Sequence, residues 1–172
     1  VTVREQEAAI RLQNFESAFA WDVRGTLILA KSGEQYKIIF TDDEITRMAG
    51  AVLTHNHPRG LEFSDTDPRS FGNSFSIADM NLACVACLSE LRVVTPRLRF
   101  SLKPPPTGWN EEYWENTLNP VYLKHRSAVS QELPNAVRAG TMTLADAEAR
   151  HFHEICLRVA VELALPYLRE EG

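Results

Sequence analysis

The chain has 172 residues, 44% of them hydrophobic and 24% charged, which is the balance of one globular domain with a substantial core and room for an appendage. A formal net charge of −5 disfavours a nucleic-acid binder, which ordinarily presents a basic face. The most apolar stretch, "ICLRVAVELALPYL", is interrupted by Arg158, Glu162 and Pro166; no segment reads as a membrane span, no secretion signal is read, and a reducing, cytoplasmic setting is expected.

In chain order, residues 3–14 ("VREQEAAIRLQN") predict a short amphipathic helix. "ESAFAWDV", Arg24-Gly25 and "TLILAKSG" predict a strand, a tight turn and a strand, hence a β-hairpin. "IIFTDDEITRMAGA" predicts a brief strand and then a helix capped by Thr41 or Asp42, with Gly50 near its end. "AVLTHNH" follows as a strand whose first half is apolar throughout, as a buried central strand would be. A polar loop, "RGLEFSDTDPRSFGN", leads to a helix over "SFSIADMNLACVACLSEL" with Ser76 as N-cap.

Cys84 and Cys87 lie in that helix without a second pair to complete a zinc site, so both are assigned to core packing. "RVVTP" and "LRFSL" are β-rich, and "KPPPTG" marks a stop. Residues 110–130 and 143–168 predict helices split by "LPNAVRAG". Thr143 with Asp146 resembles a capping box, and Phe152, Ile155, Val159 and Leu163 form an apolar stripe. Trp109, Tyr113 and Trp114 are expected to pack on the sheet. The chain therefore divides into an α/β unit, 1–103, and a helical segment, 108–172, that serves as packing, a partner surface or an oligomer contact.

The chemistry concentrates in Thr54-His55-Asn56-His57-Pro58. Residues i and i+2 of a strand share a face, so His55 and His57 aim together and can share one metal ion at about 2.0–2.1 Å each. Pro58 frays the ladder where a site must open. Asp79, in the first turn of the next helix, is the candidate third ligand; two His and one carboxylate leave a fourth position free, the pattern of a catalytic zinc. Each feature also has a plain reading: a surface histidine pair, an Asp favoured by the helix dipole, and a Ser explained by N-capping. His151 and His153, two apart on a helix, point to different faces and offer no second metal site.

"THNHP … SFSIAD" resembles the His-x-His-Pro…Ser-x-x-Asp signature of the JAB/MPN (JAMM) metallopeptidases. Asn56 and "FESAFAWDVRGTLI" are most similar to the bacterial RadC-like and phage- or defence-associated branches, over roughly residues 14–102. The resemblance implies an α/β (α+β), cytidine-deaminase-like mixed sheet flanked by helices, over 1–103, with 108–172 as a C-terminal helical extension. It implies Zn2+ held by His55, His57 and Asp79. It also implies Glu16 as general acid/base and Ser76 as hydrogen-bond donor to the oxyanion.

Glu34 and Glu44 are rival bases but fall in a turn and a helix. The stretch Arg59–Asn73 before "SFS" is longer than the family's, and Ser64 with Asp67 is a competing Ser-x-x-Asp. Asp79 is preferred because a long apolar helix follows it, whereas Asp67 stands directly before Pro68. The activity implied is a zinc peptidase or isopeptidase, deubiquitinase-like, acting on a protein with a flexible tail, such as a ubiquitin-like protein. A non-catalytic MPN-type scaffold and a RadC-like DNA-associated protein are the alternatives.

Overall fold

Turn chemistry starts the sheet. In the computed structural model, which describes residues 1–172, β1 (Ser17–Trp21) and β2 (Leu27–Ser32) form the expected hairpin. Asp22 Oδ1 accepts from the backbone N–H groups of Arg24 and Thr26, and Gly25 takes the positive φ, 78°, that the turn requires. β3 (Val52–Asn56) pairs antiparallel with β1 and parallel with β4 (Glu90–Val94). A parallel pair needs a crossover, and α3 (Ile77–Val85) lies within it. β5 (Leu98–Leu102) and β6 (Tyr167–Glu171) complete one six-stranded mixed sheet in the order β2-β1-β3-β4-β5-β6.

Helices flank both faces. On one face, α1 (Val3–Ile10) presents Glu7, fully buried, to the strands. Its carboxylate accepts from Thr54 Oγ1 (3.1 Å) and Arg92 Nε (2.6 Å) and pairs with Arg99 Nε (3.2 Å). Such a buried charge is tolerable only when paired and hydrogen-bonded. On the other face, Leu53, Leu91, Val93 and Phe100 of the strands join Met80 and Cys84 of α3. The same core takes Tyr122 and Val129 of α5 (Asn119–Arg138) and Ile155, Cys156 and Val159 of α6 (Leu144–Leu163). Trp109 is buried there, and Tyr113, at the end of the short helix α4 (Glu111–Tyr113), and Trp114 pack against the same core. No helix is long and apolar enough to cross a membrane.

Several expectations are corrected. The first helix stops at Ile10, not at residue 14, and residues 38–40 form no strand. The helix expected over 74–91 ends at Val85, because Cys87 takes a positive φ of 49° and Glu90–Leu91 already belong to β4. Cys84 is buried, but Cys87 is exposed, so only one of the pair packs in the core. The helix expected to break at "LPNAVRAG" runs through Pro134, which lies on an exposed face, to Arg138. The helix expected over 143–168 ends at Leu163, where Ala164 turns left-handed ahead of Pro166. Residues 108–172 are thus not helical throughout: they supply β6, which lies along β5.

Candidate metal centre

β3 aims the two histidines. Leu53 and His55 lie on the face toward α3, and Thr54 lies on the face toward Glu7. His57 follows the strand end, its backbone N–H still donating to Val94 O at 2.9 Å. The rings converge at their tips, with His55 Nε2 and His57 Nε2 2.9 Å apart. His57 Nδ1 donates to the Asn73 carbonyl at 3.0 Å. That bond fixes the tautomer and leaves Nε2 bare to bind a metal.

α3 aims the carboxylate. Ser76 caps the helix: its Oγ accepts from Asp79 N–H (3.2 Å), and Asp79 Oδ2 accepts from both Ser76 N–H and Ser76 Oγ (2.7 Å each). The box holds Asp79 in one rotamer, with Oδ1 3.1 Å from His55 Nε2 and Oδ2 3.5 Å from His57 Nε2. Four ligands at about 2.0–2.1 Å in a tetrahedron stand roughly 3.3 Å apart. The separations of 2.9, 3.1 and 3.5 Å bracket that edge, so His55, His57 and Asp79 form a group that could hold a metal ion. Burial opposes ionisation of Asp79, but the neighbouring His55 and His57 outweigh it and hold its carboxyl well below the usual carboxylate range.

Glu16 reaches the site through the sheet register. Ala20 pairs with Leu53 and Ala18 with His55; carried one alternate pair further, Glu16 falls opposite His57 and on the same face. Glu16 lines the cavity of about 680 Å³ that also holds His55, His57, Ser76 and Asp79. Burial pushes its carboxyl above the ordinary value; His55 and His57 pull it back, and Asp79 adds to the rise. Neither rival carboxylate lines this cavity. Glu44 caps α2 (Asp42–Arg47) with Thr41 and pairs with Lys31, and Glu34 sits in a turn where its backbone N–H donates to the Lys37 carbonyl. Asp67 caps the turn Pro68–Phe71 and pairs with Arg69 at 2.7 Å, outside the metal group.

Two residues of the site have roles that the sequence reading did not assign. Asn56, fully buried between the histidines, accepts from Ser17 N–H (2.7 Å) and donates to the carbonyls of Phe15 (2.9 Å) and Gln13 (3.3 Å). It therefore binds the backbone on both sides of Glu16. Ser74 lines the cavity and shares a hydrogen bond of 2.8 Å with the Tyr167 hydroxyl of β6, which also bonds His153 Nδ1 at 2.8 Å. Asn56 alternates with the histidines along the strand, so its burial was legible, but its partners were not. Comparison with protein-family models, with curated proteins and with solved structures gave no match.

Proposed function

We propose that this protein is a zinc-dependent peptidase or isopeptidase of the JAB/MPN type, cutting an amide at the flexible tail of a protein substrate such as a ubiquitin-like protein. The observation that carries this reading is the convergence of His55 Nε2, His57 Nε2 and the Asp79 carboxylate at tetrahedral spacing in a cavity that also contains Glu16. Zinc fits this donor set because two imidazoles and one carboxylate, with one side open to the cavity, match the ligand count of hydrolytic zinc sites. When bound, the ion supplies Lewis-acid polarisation and acidifies water.

The chain's own residues would then do the following. Glu16, as carboxylate, takes the proton from the attacking water and passes it to the leaving amine. Burial raises its affinity for a proton, the direction that such a transfer calls for. Asn56 keeps Glu16 in register with His57. Ser76 holds Asp79 in the resting state; its single hydroxyl hydrogen lies on Asp79 Oδ2 and must turn away to donate to the oxyanion.

The test is a panel of ubiquitin-like proteins carrying C-terminal fusions, incubated with zinc-loaded protein and read by mass spectrometry. Cleavage at the tail is expected, abolished by chelator and by Glu16→Gln, with zinc retained in the variant. Undiminished cleavage by Glu16→Gln removes Glu16 from the mechanism. If the protein cuts nothing and binds a partner equally with and without chelator, the MPN-type scaffold reading replaces this one.

A further inference from the structure

Two parts of the chain supply none of the three ligands: the loop 59–73 and the helices of 108–172. They are fastened to each other. Arg69 pairs with Asp67 (2.7 Å) in the loop and with Glu148 (2.9 Å) on α6, and its guanidinium lies over the Phe63 ring at 4.4 Å. Between loop and helices they enclose a second cavity of about 620 Å³, well within the size range of ligand sites. It adjoins the metal cavity, because Arg59, Asn73 and Phe152 line both. Asn73 is the residue whose carbonyl holds His57 Nδ1, so the second cavity begins directly behind a ligand.

The lining defines the chemistry of an occupant. Phe63, Leu133, Val137 and Phe152 supply apolar wall. Glu148 is the only carboxylate there, and Arg69 neutralises it. Arg59 and Arg138 are left unopposed: Arg59 is exposed with no carboxylate partner, and Arg138 reaches only the Asn135 side-chain oxygen. Two free guanidiniums over an apolar wall, on a chain of net charge −5, form a local reversal of sign. Arginine forks match carboxylates, and the wall accepts a large aliphatic or aromatic side chain. A chain in extended form advances about 3.3 Å per residue, so a peptide bound at the metal centre enters the second cavity within a few residues.

We propose that this cavity is a substrate subsite selecting an acidic, apolar segment of the protein chain to be cut. An Asp or Glu side chain pairs with Arg59 and Arg138, and a Leu- or Phe-sized neighbour packs against Phe63 and Val137. The assignment rests on reading the metal centre as a peptidase site. It also gives the loop 59–73 and the helical segment a function: together they choose the substrate.

The experiment is selection of a random heptapeptide library, displayed on phage, against the full chain and against Arg59→Gln/Arg138→Gln. Both arginines are exposed, so the variant is expected to keep the wild-type circular dichroism spectrum and metal content. Wild type should enrich peptides in which Asp or Glu accompanies Leu or Phe, and the double variant should lose the acidic preference. The best peptide, synthesised with a fluorescein label, should bind about tenfold more tightly by anisotropy than its Asn/Gln counterpart.

Absence of acidic enrichment, equal enrichment by the variant, or equal affinity of the two peptides overturns the proposal. So does arginine-dependent binding of a labelled single-stranded DNA oligonucleotide in preference to the peptide. The selection needs neither metal nor turnover. Peptide binding without cleavage would therefore count against the peptidase reading alone, and tail cleavage without acidic preference against the subsite alone.

Discussion

Asn56 Oδ1 accepts the backbone N–H of Ser17 at 2.7 Å, a side-chain bond at the point where the β1–β3 ladder would otherwise continue. Together with donation to the Phe15 carbonyl at 2.9 Å, it makes the residue between two candidate metal ligands the anchor of the candidate base.

Asn56→Ala removes all three bonds and leaves the buried Ser17 N–H unsatisfied, at about 1–3 kcal/mol. Because both histidines remain, one metal per chain is expected by mass spectrometry. Amide hydrogen exchange at Ser17 should accelerate, and tail cleavage should fall by about 10²-fold, the scale of a 1 Å misplacement. Unchanged exchange at Ser17 would show that the bond does not hold that strand end.

Asp79→Ala should lose the metal, because it deletes the carboxylate at 3.1 Å from His55 and leaves two ligands. Asp67→Ala should keep it, since that carboxylate serves Arg69. Metal content measured on the two variants side by side decides; the opposite result would make the loop's Ser-x-x-Asp the true one.

Glu7→Ala should destabilise the fold by about 3–5 kcal/mol in urea unfolding, because Arg92 and Arg99 would be left as partly buried charges without their main partner. Arg4→Ala, which breaks an ion pair to Glu170 near the surface, should cost no more than about 1 kcal/mol. Equal losses would mean that the buried network adds nothing beyond a surface pair.

Burial and then Arg169 push the His153 imidazole below its ordinary value, with Glu154 opposing. The unfolded chain consequently binds that proton more readily than the folded one. The contribution of His153 to stability is thus full above the unfolded value of about 6.5 and is lost as pH falls through the window beneath it. Urea unfolding at pH 7.5 and pH 5.5 should show a larger loss in wild type than in His153→Gln. An identical loss would place the pH dependence elsewhere.

Local chemistry was legible in this sequence wherever partners are near in the chain. The turn at Arg24-Gly25, the caps at Ser76 and Thr143, a cap at Thr41 or Asp42 that the structure gives to Thr41, and the shared face of His55 and His57 follow from spacing alone. What depends on distant partners was not. Tyr167 and Leu168 read as a helix end because they follow an apolar helix; only β5, far earlier in the chain, makes Tyr167–Glu171 a strand. Pro134 signals a break, yet the helix tolerates it on an exposed face while Leu133 and Val129 hold the inner one. Glu7 looks like a solvated helix carboxylate until Arg92 and Arg99 arrive from strands opposite. The same limit applies at the site. His55, His57 and Asp79 are marked by motif, whereas the Asn56 clamp on Glu16 and the second cavity arise only from folding.

The position of β6, beyond both long helices α5 and α6, has a consequence in time. His55, His57 and Asp79 all emerge from the ribosome several seconds before Tyr167, at synthesis rates of roughly 5–20 residues per second. Until then β5 has an open edge, and Ser74, two residues before the cap that holds Asp79, lacks its bond to the Tyr167 hydroxyl. The nascent chain therefore carries all three candidate ligands before the strand that braces them exists. Assembly of the candidate site waits for β6, and a chain truncated before Tyr167 would carry His55, His57 and Asp79 with that support missing.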